Sequence, residues 1–101
     1  MDNNKILSRN GRALTTPTTL HPGSVLADEL AARALKKAEF AQLLGMKASH
    51  FSELLHGKRH ISAAMALKLE EKLGIEAEFW LRVQVAFDLA EARSKRQMLA
   101  A

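Results

Sequence analysis

One segment of this sequence gathers side chains that can donate or accept hydrogen bonds to a charged partner. It holds Lys36 and Lys37, then Lys47, Ala48, Ser49, His50, Ser52, Glu53 and His56, and finally Lys58, Arg59 and His60. Lysine and arginine suit phosphate oxygens, hydroxyls reach phosphates or base edges, and a carboxylate accepts from the cytosine amine. The chemistry implied is recognition of a polyanion. The charge distribution agrees: residues 36–60 carry five Lys/Arg against Glu39 and Glu53, whereas residues 61–81 carry two lysines against four glutamates. Most of the surplus in a chain of net charge +4 therefore sits on this segment.

Such a set reads DNA only if it is held on one exposed face, and the intervening residues supply the frame. Phe40, Ala41, Leu43 and Leu44 recur at helical spacing, as do Phe51, Leu54 and Leu55. Between the two runs Gly45 marks a tight turn, where a chain leaving a helix needs positive φ, and Met46 turns inward. Small Ala41 lets the second helix cross close to the first. The spacing predicts a helix-turn-helix whose second helix turns Lys47, Ala48, Ser49, Ser52, Glu53 and His56 outward. Lys36 and Lys37 stand at the start of the first helix, where positive charge opposes the helix dipole unless a phosphate lies nearby. The short basic loop Lys58-Arg59-His60 is expected to touch sugar-phosphate oxygens.

Length and composition bound the alternatives. A chain of 101 residues builds one modest core, and its 48% hydrophobic and 26% charged content is that of a soluble globular protein. No apolar run spans a membrane and no secretory signal is visible at Met1, so a cytoplasmic location is expected. There is no cysteine for disulfides or thiolate metal sites. His56 and His60 are separated by helix-breaking Gly57 and lack an acidic co-ligand, and no nucleophile elbow, phosphate loop or paired acids occur. No enzyme activity, metal or cofactor is expected.

The other elements follow in order. Residues 1–20 show no sustained period and read as an extended or flexible arm. A first helix begins at His21-Pro22-Gly23-Ser24, with Ser24 placed to supply the capping oxygen and Asp28 and Glu29 in the early turns, and runs to about Arg33. Gly57 closes the second helix of the motif, Ser62 caps a fourth helix ending at Gly74, and a fifth runs from about Glu76 towards Met98. That last helix carries two apolar stripes, Phe79-Val83-Phe87-Ala90 and Leu81-Val85-Leu89-Ala92, with Trp80 as an anchor. One core cannot cover both, so a homodimer contact is expected through Phe79, Trp80, Leu81, Val85 and Leu89. The fold class is all-α: a five-helix domain over residues 21–98 with its dimerisation helix at the C-terminal end.

His21-Pro22-Gly23-Ser24-Val25-Leu26, Phe40-Ala41-Gln42-Leu43-Leu44-Gly45, Leu54-Leu55-His56-Gly57-Lys58-Arg59-His60-Ile61-Ser62, Met65-Ala66-Leu67-Lys68-Leu69 and Glu78-Phe79-Trp80-Leu81 occur here in that order. In this order and spacing the chain resembles the HigA-type antitoxins, a branch of the Xre/lambda-repressor-like helix-turn-helix family. The resemblance covers about residues 21–93. It implies a lambda-repressor-like domain that binds and silences a small RelE-like ribonuclease toxin and, as a dimer on double-stranded DNA, represses its own operon. Two departures stand out: where family members often have Ser-Arg-Gln and a central arginine in the reading helix, this chain has Lys47-Ala48-Ser49 and Glu53. Operator sequence therefore cannot be carried over. Two other readings stay open, a stand-alone transcriptional repressor and a protein-binding antitoxin that has lost operator affinity.

Overall fold

The computed structural model describes residues 20–100; the arm expected over residues 1–20 lies, Leu20 apart, outside them. Among the described residues five helices follow one another: α1 (Pro22–Ala32), α2 (Lys37–Leu44), α3 (Ala48–Leu55), α4 (Ala63–Leu73) and α5 (Ala77–Ala100). The described residues contain no strand. His21–Gln84 form one compact unit, and α5 from Val85 onward belongs to a second.

Within His21–Gln84, α3 packs against α1 and α2, and α2 packs against α4. Leu26 and Leu30 of α1, Phe40, Ala41 and Leu44 of α2, Phe51 and Leu54 of α3 and Leu69 of α4 close over a shared core. The Phe40 and Phe51 rings tilt together with centroids 5.9 Å apart. Ala41 is buried beside them, as the close crossing of α2 and α3 requires.

The turns follow from local chemistry. Gly45 takes φ 72°, its N–H donates to Gln42 O, and the Met46 N–H reaches back to Ala41 O at 2.9 Å. Gly57 repeats this at φ 78°, with its N–H on Leu54 O and the Lys58 N–H on Glu53 O. These are the paired bonds of a Schellman motif, which needs a residue in the left-handed region. The same bonds end α1, but there the position is filled by Ala34 at φ 56°. Ser62 Oγ caps α4 by accepting from Met65 N–H, and Glu70 Oε1 accepts from Ala77 N–H at the start of α5.

Four expectations are corrected. α1 is capped by His21, whose Nδ1 accepts from Gly23 N–H at 2.8 Å, whereas Ser24 Oγ donates to His21 O. With the helix beginning at Pro22, Asp28 and Glu29 fall beyond its first turn. Trp80, expected on a dimer face, is fully buried in the chain's own core, edge-on to Phe79. The inward line of α5 is Ala77, Trp80 and Gln84, one residue around from the stripe expected through Phe79 and Val83. Gln84 is polar, yet it is buried because its Oε1 accepts the Ile61 N–H at 2.8 Å. Phe79 and Leu81 are half-buried against the core, while Val85 and Leu89 are exposed.

Candidate nucleic-acid interface

The outer side of α3 is uncovered. Ala48, Ser49, Ser52, Glu53 and His56 are exposed with Lys47 ahead of them, and His50 is half-buried. Lys47 and Lys36, the residues before α3 and α2, make no side-chain cap, so both helices begin with unshielded N–H groups beside a lysine. Lys36 and Lys37 are exposed.

Two clefts divide the remaining residues. The first, about 250 Å³, lies between the start of α2 and the side of α3, and brings Lys37 together with Ala48, Ser52 and His56 over a floor that includes Phe51 and Leu55. The second, about 260 Å³, brings Arg59 and His60 beside Met46, Leu54, Ser62 and Met65. His56 Nδ1 lies 2.7 Å from the Ser52 carbonyl oxygen, an atom that only accepts, so Nδ1 carries the hydrogen and Nε2 is left for a partner.

Glu53 does not stand alone on this face. Its Oε1 accepts from Arg59 Nε at 2.6 Å, and its backbone oxygen accepts from Lys58 N–H at 2.8 Å. The Arg59 hydrogen bond holds the Glu53 carboxyl below the ordinary glutamate value; the charges of Arg59, His50 and Lys58 add to this, and desolvation opposes it. This pair went unread in the sequence, although the signal is there: opposite charges on either side of a glycine that folds the chain back.

Outside the face, the sequence reasoning missed what sets the tilt of α3. Gly23 of α1 comes so close to the end of α3 that a Cβ there would lie 1.9 Å from Leu54 O. A Cβ on Gly57 would in turn meet the His21 ring at 3.4 Å. The His21-Pro22-Gly23 run is thus a docking device: the imidazole caps α1, proline starts it, and glycine allows backbone contact with the reading helix. On the other side, Lys68 Nζ donates to Leu44 O at 3.1 Å and fastens the end of α2 to α4.

A helical domain whose third helix follows a glycine turn and leaves its outer side uncovered is a helix-turn-helix domain. The chain belongs to the helix-turn-helix family, whose profile matches residues 26–80. Among its relatives is virulence-associated protein A' of Dichelobacter nodosus, 36% identical over 72 residues, which are 70% of this chain and 63% of that protein. The chain thus spans under two thirds of that relative's length. The fold is also that of HigA-type antitoxins. An addiction module antidote protein of a HigA family from Coxiella burnetii superposes with a TM-score of 0.73 at 33% identity, over 79% of this chain and 88% of that one. The Pseudomonas aeruginosa antitoxin HigA, solved with the higBA promoter, gives 0.74 at 30% identity over 81% and 90%. No helix among the described residues is long and apolar enough to cross a membrane.

Proposed function

We propose that this chain is the antitoxin of a type II toxin–antitoxin module: in the cytoplasm it binds and neutralises a RelE-like ribonuclease toxin, and as a DNA-binding homodimer it represses its own operon. The observation that carries the reading is the uncovered, basically flanked outer side of α3 in a fold shared with an antitoxin solved on its promoter. Ser49, Ser52 and His56 are the residues for base edges, with Ala48 and His50 alongside. Lys36, Lys37, Lys47, Lys58, Arg59 and His60 are the residues for phosphates, which fix register without reading sequence. The exposed Val85 and Leu89 supply the apolar surface that pairs two copies, whereas Phe79 and Leu81 pack against the chain's own core. Paired copies present two reading helices to half-sites about ten base pairs apart or a multiple of that.

The pairing of Glu53 with Arg59 weakens the case for an antitoxin without operator affinity, because the one carboxylate on the reading helix is balanced by a cation. Two measurements test the proposal. Binding to DNA upstream of its own reading frame is expected to weaken steeply with salt, and co-expression is expected to relieve growth arrest caused by the small adjacent reading frame. Salt-independent or absent DNA binding, together with no relief, refutes it.

A further inference from the structure

We infer that Glu53 is a positioning residue for DNA recognition: its carboxylate grips the Arg59 guanidinium by Nε at the end of α3 and presents the remaining donors to nucleic acid in one orientation. The inference rests on the DNA-binding reading above and assigns it a residue that charge alone would count as unfavourable. Glu53 anchors the loop twice, by its backbone oxygen to the Lys58 N–H and by its side chain to Arg59. The side-chain bond, at 2.6 Å, uses Nε. A guanidinium has five N–H donors in one plane, so a bond at Nε fixes the plane and leaves the four Nη hydrogens for a partner. A carboxylate masking the arginine would instead take the two-bonded fork arrangement.

The pair is not there for the fold. Its side chains are 42% and 47% exposed, and ion pairs this open to water contribute little to stability. What it does provide is order: a long side chain already held in place gives up less rotamer freedom when a ligand takes it. It also keeps the outer side of α3 from presenting a bare carboxylate to phosphates.

Charge and positioning predict opposite signs. If Glu53 acts only through its charge, Glu53→Ala and Glu53→Gln both tighten binding to any DNA. If it positions Arg59, Glu53→Ala loosens binding to the upstream duplex, and Glu53→Gln, which keeps an acceptor oxygen at the same reach, stays near wild type. The test is fluorescence anisotropy on wild type, Glu53→Ala, Glu53→Gln, Arg59→Ala and the Glu53→Ala/Arg59→Ala double variant. It uses a duplex from upstream of the reading frame and an unrelated duplex of equal length, with circular dichroism melts to establish that each variant is folded. Arg59→Ala is expected to weaken binding to both duplexes about tenfold, the size of one lost hydrogen bond to a charged group. Glu53→Ala is expected to weaken it several-fold, and the double variant no more than Arg59→Ala alone. In the free protein, the Arg59 Nε–H resonance is expected to be sharp and slowly exchanging in wild type and lost in Glu53→Ala. Tighter binding by Glu53→Ala, multiplying losses in the double variant, or a fast-exchanging wild-type Nε–H overturns the inference while leaving DNA binding intact. Failure of wild type to bind either duplex overturns both.

Discussion

Adding a single methyl group at Gly23 tests how α1 holds the reading helix. A Cβ there would sit 1.9 Å from Leu54 O and 2.9 Å from Leu54 C, whereas side-chain carbons essentially never come within 3.0 Å of such atoms. The obstacle is backbone, so it cannot rotate away, and α1 must lift from α3 by about 1 Å. Leu26 and Leu30, both essentially unexposed, then pack less well, and the 2.8 Å bond from Gly23 N–H to His21 is disturbed. Forcing an extra carbon into a packed contact costs about 1–3 kcal/mol, and a lost N-cap adds about 1 kcal/mol. Gly23→Ala should therefore destabilise by about 2–4 kcal/mol, from a total of about 5–15 kcal/mol for a domain. In a thermal melt followed by circular dichroism this corresponds to a fall on the order of 10–30 °C. Gly74→Ala is the control: Gly74 has φ 75° but nothing within 4 Å of its Cβ position, so it pays only the left-handed backbone cost of about 1–2 kcal/mol. If Gly23→Ala melts no lower than Gly74→Ala, the close approach of α1 to Leu54 is wrong.

The remaining predictions concern other joints. Ala34→Gly should stabilise by about 0.5–1 kcal/mol, because Ala34 occupies a left-handed position at φ 56°; an unchanged urea midpoint counts against it. Gln84→Ala removes the acceptor for the buried Ile61 N–H and should cost about 1–3 kcal/mol in urea unfolding, whereas a mere surface role would cost under about 0.5 kcal/mol. Lys58→Ala should weaken binding to all duplexes alike and lower the slope of log K against log salt by about 0.9; an unchanged slope excludes a phosphate contact. The Glu53 carboxyl, held down by Arg59, should titrate below the ordinary glutamate value. Its stabilising contribution is complete above the unfolded value and disappears as pH falls through the lowered folded value, so a carbon-detected midpoint at or above the ordinary value contradicts the pair.

The helices could be read because their signals are local. Gly45, Gly57 and Gly74 all take positive φ, Ser62 caps α4, and Phe40, Leu44, Phe51 and Leu54 face inward at the expected spacing. What could not be read depends on contacts between distant residues. Gln84 faces inward because of the Ile61 N–H, a partner 23 positions away that no local pattern reveals. The apolar residues alone place the buried stripe of α5 one residue around from Ala77, Trp80 and Gln84, and so put Trp80 on the wrong side. Histidine capping at His21 was hidden by a more conventional candidate, Ser24, two residues past the helix start. On the face itself, the outward set of α3 follows from period alone, but the Glu53–Arg59 bond depends on how far the chain turns back at Gly57.

The unexpected contacts concentrate on one short stretch, residues 53–61. Gly23 presses on Leu54, the His21 ring lies against Gly57, Glu53 takes both Lys58 N–H and Arg59 Nε, and Gln84 holds Ile61 N–H. These anchors come from α1, from α3 itself and from α5, so the basic loop is fastened from three elements although Lys58, Arg59 and His60 are all exposed. An exposed loop of this composition would ordinarily be mobile, and ordering it on a phosphate backbone would offset much of what each contact contributes. Here Gly23, His21 and Gln84 hold the stretch from the inner side of the domain, and Glu53 holds it from the exposed face. If Lys58 and Arg59 bind DNA, its affinity should depend on the buried Gly23 and Gln84 as well, through the position they give to this loop.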